Sequence, residues 1–197
     1  MRKDQAVYQL NVALEDSRPL IWRRVQVLSE VTLPKLHRTL QTVMGWEDYH
    51  LHEFRIDGTA YAEPDPEDHH YGREVADERR VRLASVLPAV GASFEYTYDF
   101  GNNWQHDILL EAILPVKPRK QYPVCLAGAR SAPPEDVGGI GGYERYLEAL
   151  FDPTHEDHRN LVAWRGRFDP DYFPITGVNR RLREEFPASP SRSAANV

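Results

Sequence analysis

The amino-acid sequence predicts an α+β fold: a single domain with a mixed, mostly antiparallel sheet, helices packed on it and a helical C-terminal part. Three observations carry this expectation. Period-two alternation of apolar residues is concentrated before Pro115, and helical spacing takes over after Gly142. Strands and helices therefore come in separate runs instead of alternating as in a βαβ chain. A chain of 197 residues also has enough surface to bury a core without a staple, roughly 70% of what the unfolded chain exposes. Residues 1–187 are expected to form the domain, and the small, polar residues 188–197 a flexible tail.

Tyr8, Leu10, Val12 and Leu14 alternate with Gln9, Asn11 and Ala13, the signature of a half-buried strand. Arg18-Pro19 interrupts the run, and Ile21, Arg23, Val25 and Val27 begin a second, with Trp22, Arg24 and Gln26 on its other face. The two are expected to pair antiparallel. A helix follows, with Thr32 as N-cap, Pro34 in the first turn, and Leu33, Leu36, Leu40, Val43 and Met44 as its apolar stripe. Gly45 is its stop signal. Residues 50–56 read as a strand with His50, His52, Phe54 and Ile56 on one face, and Asp57-Gly58 turns the chain into residues 60–62. Residues 63–80, centred on Glu67-Asp68-His69-His70, read as a charged, solvated loop, and residues 81–87 as a short strand or helix.

Phe94, Tyr96, Tyr98 and Phe100, then Trp104, His106, Ile108, Leu110 and Ala112, form the clearest hairpin pattern. A three-residue loop, Gly101-Asn102-Asn103, pairs Phe100 with Trp104 and Tyr98 with His106 and aligns the apolar faces; a two-residue loop would set Asp99 opposite His106. Residues 115–142 are rich in Pro and Gly and read as one long loop. Tyr143, Tyr146, Leu147, Leu150 and Phe151 keep helical spacing. Thr154 and Asp157 resemble a capping box for a second helix through Leu161 and Trp164, and Val178, Leu182 and Phe186 mark a last one.

The composition excludes several functions. Cys125 is the only cysteine, so neither an intrachain disulfide nor a multi-cysteine zinc site can form, which suits a reducing, cytoplasmic location. The basic N-terminal residues have no apolar run behind them, and no stretch reaches the ~18 apolar residues of a membrane span. With 24 basic and 30 acidic residues, the net charge of -6 does not favour DNA, which would need a local basic patch.

Three groups of residues could carry chemistry. His50 and His52 share a strand face and His106 belongs to the neighbouring hairpin. Converging imidazoles, completed by Asp99, Glu135 or Asp136 as ligand or base, would hold a divalent metal; the alternative is a set of hydrogen-bonded core histidines. The loop from Cys125 to Gly142 stiffens at Pro133-Pro134, presents Glu135-Asp136, then loosens at Gly138-Gly139 and Gly141-Gly142 before a helix near Tyr143. Arg130, Glu135, Asp136, Gly138, Gly139 and Tyr143 are its candidate ligand-binding residues, and Asp99, His106, Glu135 and Asp136 the candidate catalytic ones. Equally, Glu135 or Asp136 could tie down backbone amides in an ordered structural loop. Arg130, Glu135 and Asp136 are expected at the surface near the Asp99-Phe100-Gly101 turn, rimming the main pocket. Arg23, Arg24, Arg80, Arg82, Arg180, Arg181 and Arg183 are expected to be solvated or ion-paired. No G-x-S-x-G, H-E-x-x-H or nucleotide-binding glycine loop is present, so no cofactor is evident beyond a possible divalent metal.

Taken together, Ile21-Trp22-Arg23-Arg24-Val25, Leu36-His37, Met44-Gly45-Trp46, His50-Leu51-His52-Glu53-Phe54, Tyr96-Thr97-Tyr98-Asp99-Phe100-Gly101 with Trp104 and His106, the Cys125-to-Gly139 loop, Gly142-Tyr143, Phe168-Asp169-Pro170 and Val178-Asn179 resemble the plasmid pRiA4b ORF-3-like family. The resemblance implies a compact α+β fold and a passenger protein of mobile elements, without implying a particular reaction. Family members often carry Asp where this chain has Asn102 and Cys where it has Val137. The first departure removes a carboxylate from a metal site and the second a partner from Cys125. The expected function is a binding or accessory domain with a ligand or protein partner. The alternatives are a metal-dependent hydrolase with a His/carboxylate site and a DNA-associated mobile-element factor.

Overall fold

The computed structural model of the chain describes residues 5–64, 74–166 and 168–188. The Glu67-Asp68-His69-His70 stretch and residues 189–197 of the expected tail lie outside them. The described strands are β1 (Ala6–Leu14), β2 (Trp22–Leu28), β3 (His52–Ile56), β4 (Thr59–Ala62), β5 (Ala76–Asp77), β6 (Ser93–Tyr98), β7 (Trp104–Pro115) and β8 (Val124–Ala129). The helices are α1 (Leu33–Met44), α2 (Leu83–Val86), α3 (Gly139–Phe151), α4 (His158–Arg165) and α5 (Ile175–Glu185).

The strands form one sheet in the order β5-β4-β3-β6-β7-β1-β2-β8, antiparallel throughout except for the parallel β4–β5 pair. This is the mixed sheet the alternation predicts. Tyr8, Leu10, Val12 and Leu14 all point into the core, where they join the stripe of α1 and the aromatic residues of β6 and β7. The opposite face carries a polar ladder: Gln26 donates to Gln9, Gln9 donates to Glu111, and Arg24 grips Glu111 through two nitrogens at 2.6 and 2.7 Å. A sheet with one wet face needs that alternation, because a one-residue slip would exchange the two sets.

Helix α1 starts and stops where its signals lie. Thr32 occupies the N-cap position without a side-chain cap bond, Pro34 sits in the first turn, and Gly45 ends the helix in the left-handed conformation at φ 87°. The Asp57-Gly58 turn also forms as expected, with both residues at positive φ and Ile56 paired to Thr59.

Several expectations change. The β6–β7 register pairs Tyr98 with Trp104 and Tyr96 with His106, so the loop spans five residues, not three or two. The shift of two residues keeps the apolar faces matched, which is why alternation alone could not detect it. The longer turn is organised by Asp99: its Oδ1 accepts the Gly101 and Asn102 N–H groups, and its carbonyl accepts the Asn103 N–H. The loop expected over residues 115–142 contains β8, an edge strand whose small residues give no strong alternation. Within the expected 63–80 loop, β5 pairs with β4 and a 3-10 turn runs from Glu78 to Arg80. The Thr154–Asp157 capping box does not form: Thr154 bonds Asp152, and α4 begins at His158 with Asp157 as an N-cap residue that makes no side-chain cap bond.

Arg23 is the largest departure among the arginines. It is 1% exposed, with its guanidinium over the Phe173 ring and hydrogen bonds to the carbonyls of Val43, Trp22 and Ala129 at 2.9, 2.8 and 2.8 Å. It faces inward because it shares the face of Ile21, Val25 and Val27, and carbonyl oxygens replace the water it gives up.

Candidate functional site

Three segments meet at the turn end of the β6–β7 hairpin: residues 46–50 between α1 and β3, the turn 99–103, and the loop 130–138. The loop 130–138 is fastened to both of the others through backbone groups. The Trp46 indole stacks on Tyr98 and Trp104 at centroid distances of 5.1 and 5.9 Å and donates its N–H to the Pro133 carbonyl at 3.0 Å. Glu135 accepts the Tyr98 hydroxyl at 2.6 Å and the Glu47 N–H at 2.9 Å. Burial pushes the Tyr98 hydroxyl pKa upward, and the Glu135 carboxylate adds to that rise, so Tyr98 stays a donor. Asn102 faces both ways: its Oδ1 accepts the N–H groups of Gly138 and Gly139 at 2.8 and 2.7 Å, while its amide donates to Asp99. Such closeness requires glycine. A Cβ on Gly139, whose φ is +68°, would stand 2.5 Å from the Asn102 carbonyl oxygen, and one on Gly142 would stand 2.0 Å from that of Val137.

This clamp brings His50, Asp99 and Asp136 together. One potential ligand atom from each lies within 4.8 Å of the others. His50 Nε2 is 3.1 Å from Asp136 Oδ1 and 3.5 Å from Asp99 Oδ2. Asp99 is buried, and its side chain is only 7% exposed; that of Asp136 is 64% exposed, so the cluster has a fixed inner wall and an open outer one. Burial alone would raise the Asp99 pKa, but the hydrogen bonds from Asn102 and Gly101 and the nearby His50 outweigh it and hold the carboxyl below its usual range. Asp99 and Asp136 both adopt positive φ, 56° and 61°, a conformation Asp tolerates better than most residues.

The three histidines expected to converge do not share a site. His52 Nε2 lies 3.0 Å from Glu78, and its ring stacks on His37 at 3.5 Å with an angle of 4°. His106 is wholly buried, with Nδ1 facing the carbonyls of Trp104 and Tyr96 at 3.0 and 3.3 Å. Burial drives its pKa down to about 4, against the opposing pull of those carbonyls, so it is a neutral core residue and not a partner of Asp99. The physical reason is register: His106 sits opposite Tyr96, two pairs away from the turn.

The candidate loop residues divide in the same way. Glu135, Gly138 and Gly139 are spent on the clamp. Arg130 pairs with Asp171, while Ser131 bonds the carbonyls of Asp169 and Tyr172. Tyr143 is buried edge-on against Phe168 at 6.1 Å, and burial raises its pKa while Arg130 opposes the rise. A cavity of about 750 Å³ between β2, α1 and α5, lined by Val27, Lys35 and Phe186, includes none of Arg130, Glu135 and Asp136, whereas Asp136 lines a cleft of about 300 Å³ with Val137 and Tyr146.

Two contributors escaped the sequence reading. Asn102 has no motif of its own, and only the five-residue turn reveals its bridging role. His37 bonds Asp48 and Tyr96 at 2.7 and 2.8 Å, and Gln41 also bonds Tyr96. Its signal was present in the α1 stripe, because position 37 falls with 33, 36 and 40 on the inward face.

The chain has relatives. The sequence profile described as plasmid pRiA4b ORF-3-like protein matches residues 6–176. An uncharacterized protein, y4hQ, of Sinorhizobium fredii (strain NBRC 101917 / NGR234) is 41% identical over 167 residues, covering 84% of each chain. The crystal structure of a protein of unknown function, MM3350, from Methanosarcina mazei Go1 superimposes with a TM-score of 0.78 at 40% identity, over 87% of this chain and 97% of that one. The chain belongs to the plasmid pRiA4b ORF-3-like family.

Proposed function

We propose that this member of the plasmid pRiA4b ORF-3-like family is a binding domain built around one divalent cation, held by His50, Asp99 and Asp136. The observation that carries this reading is the spacing of the donor atoms. Metal–ligand bonds of roughly 2.1 Å place adjacent donors roughly 3.0 Å apart in an octahedron and roughly 3.4 Å apart in a tetrahedron. Of the two His50 contacts, 3.1 Å falls between those spacings and 3.5 Å lies about 0.1 Å beyond the tetrahedral one. One imidazole with two carboxylates suits zinc or manganese better than calcium, which prefers all-oxygen sites. Three protein ligands, one of them exposed, leave positions open for water or a ligand. The clamp supplies the outer support that such ligands need: Asn102 and the turn amides orient Asp99, and the Gly138-Gly139 bonds to Asn102 position Asp136 beside it.

Binding is favoured over hydrolysis because Glu135, the nearest expected base, already accepts two hydrogen bonds. A DNA-associated role has less support. Arg23 is buried, Arg24 grips Glu111 and Arg82 grips Glu30, so these cations do not gather into a phosphate-binding stripe.

The competing account of the same triad is a proton on His50 shared between two carboxylates. Calorimetric titration of the untagged protein with zinc and with manganese separates the two. The cation account expects one equivalent bound, at least tenfold weaker binding in Asp99→Asn and His50→Ala, and a thermal upshift with metal. Titration curves that are flat for both metals, with no thermal shift, would contradict it.

A further inference from the structure

Beside the cation cluster, and sharing Asp136 with it, lies a cleft of about 300 Å³ between the loop at Val137, α3 and α4. We infer that this cleft binds a small phosphate monoester with an aromatic body, its phosphate bridging Arg145, His155 and the cation. The inference rests on the cation reading above and names the class of ligand that the site would take.

Arg145 projects from the exposed side of α3, with no hydrogen-bond or ion-pair partner among the described residues. Its guanidinium lies beside the first turn of the helix, where ideal Cβ positions on Gly141 and Gly142 come within 3.7 and 3.9 Å of its nitrogens. His155 is fixed in one tautomer. Its Nδ1 accepts the Asp157 N–H at 3.1 Å, so the ring proton sits on Nε2 and remains available as a donor. A phosphate monoester offers three oxygens to two hydrogen-bond donors, a guanidinium fork and an imidazole N–H, and to one open cation position.

The wall fits the remainder of the ligand. Trp164 is 47% exposed and stands edge-on to Tyr146, with Leu161 beside it. Tyr146 is 1% exposed, and its buried hydroxyl has no partner among the described residues. A flat, partly exposed indole next to an unpartnered hydroxyl is a surface for an aromatic group carrying a polar atom.

Charge makes the binding conditional. Asp136 and Asp157 line the cleft and Asp99 lies behind Asp136, so three carboxylates outnumber the single guanidinium. The metal-free cleft therefore repels an anion, and a divalent cation removes the deficit. Cation and phosphate are thus expected to bind cooperatively, each tightening the other by the same factor.

The test is calorimetry with manganese alone, then with phenyl phosphate and inorganic phosphate on the protein with and without manganese. Phenyl phosphate is expected to bind the manganese-loaded protein at least tenfold more tightly than the metal-free protein, and more tightly than inorganic phosphate does. Arg145→Ala, at an exposed position, is expected to weaken phenyl phosphate at least tenfold and leave the manganese titration unchanged; Trp164→Ala is expected to abolish the preference over inorganic phosphate. If manganese binds but phenyl phosphate does not, or if Arg145→Ala has no effect, this inference is overturned and the cation reading stands. If manganese does not bind, both are overturned.

Discussion

Replacing Asn102 with alanine removes the bridge between the β6–β7 turn and the start of α3. The side chain makes three direct hydrogen bonds: two accepted from Gly138 and Gly139 at 2.8 and 2.7 Å, and one donated to the Asp99 carboxylate. A net worth of ~1 kcal/mol for each neutral bond and ~2 kcal/mol for the charge-assisted one gives an upper bound of ~4 kcal/mol. The Gly138 bond is exposed and water replaces much of it, so a loss of ~2–3 kcal/mol is expected. Asp99 also loses one of the bonds that hold its pKa down. Because that pKa is depressed in the fold, its stabilising contribution is present above the unfolded carboxylate range and lost as pH falls through the folded value. The alanine variant should therefore show a smaller drop in stability on acidification than the wild type. Asn102→Asp is the informative companion. It keeps the acceptor for both glycines but sets a second carboxylate against Asp99, so it should be destabilised in metal-free buffer and recover when manganese is added. Urea unfolding at pH 7 and pH 4.5, with and without manganese, measures all of this. A loss below ~0.5 kcal/mol for Asn102→Ala would mean that the bridge is incidental.

Other perturbations test the frame around the site. Arg23→Ala leaves three carbonyls without their donor and a void beside Phe173, so a loss of ~3–5 kcal/mol in urea unfolding is expected, and a change under ~1 kcal/mol would show that water enters freely. His106, with its pKa near 4, should remain neutral by ring NMR at pH 5. It takes up its proton more readily when unfolded, so its contribution is complete above pH ~6.5 and declines by about 3 kcal/mol as pH falls towards 4; a ring that titrates between pH 6 and 7 refutes this. Gly142→Ala must displace the Val137 carbonyl. It should weaken manganese binding at least tenfold by shifting the neighbouring Asp136, and an unchanged manganese titration would separate the glycine from the site.

Much of the fold was legible because it depends on short-range patterns. The alternation in β1, β2, β6 and β7, the Thr32, Pro34 and Gly45 signals of α1, and the Asp57-Gly58 turn each write a local geometry into a few residues. The β6–β7 register was not legible, because a shift of two leaves every side chain on its face and only the Asp99-centred turn distinguishes the choices. Edge strand β8 was hidden by its small residues: Gly128 lies under Phe173 and against the Trp22 carbonyl, a tertiary demand with no local trace. At the site, sequence reasoning selected His50, Asp99 and Asp136 among its candidates but grouped them with His52 and His106. Strand alternation places residues on a face without saying how far along it a partner strand will bring them. Glu135 shows the same limit, since a carboxylate that fastens the Glu47 amide looks, in sequence, like one that awaits a ligand.

The central claim is tested most directly by crystals of the protein grown with manganese and measured for anomalous scattering. A single strong anomalous peak is expected between His50 Nε2, Asp99 Oδ2 and Asp136 Oδ1, roughly 2.1–2.2 Å from each, and it should vanish in crystals of Asp99→Asn. A map with no peak there, showing His50 still directly bonded to the two carboxylates at saturating manganese, would contradict the account.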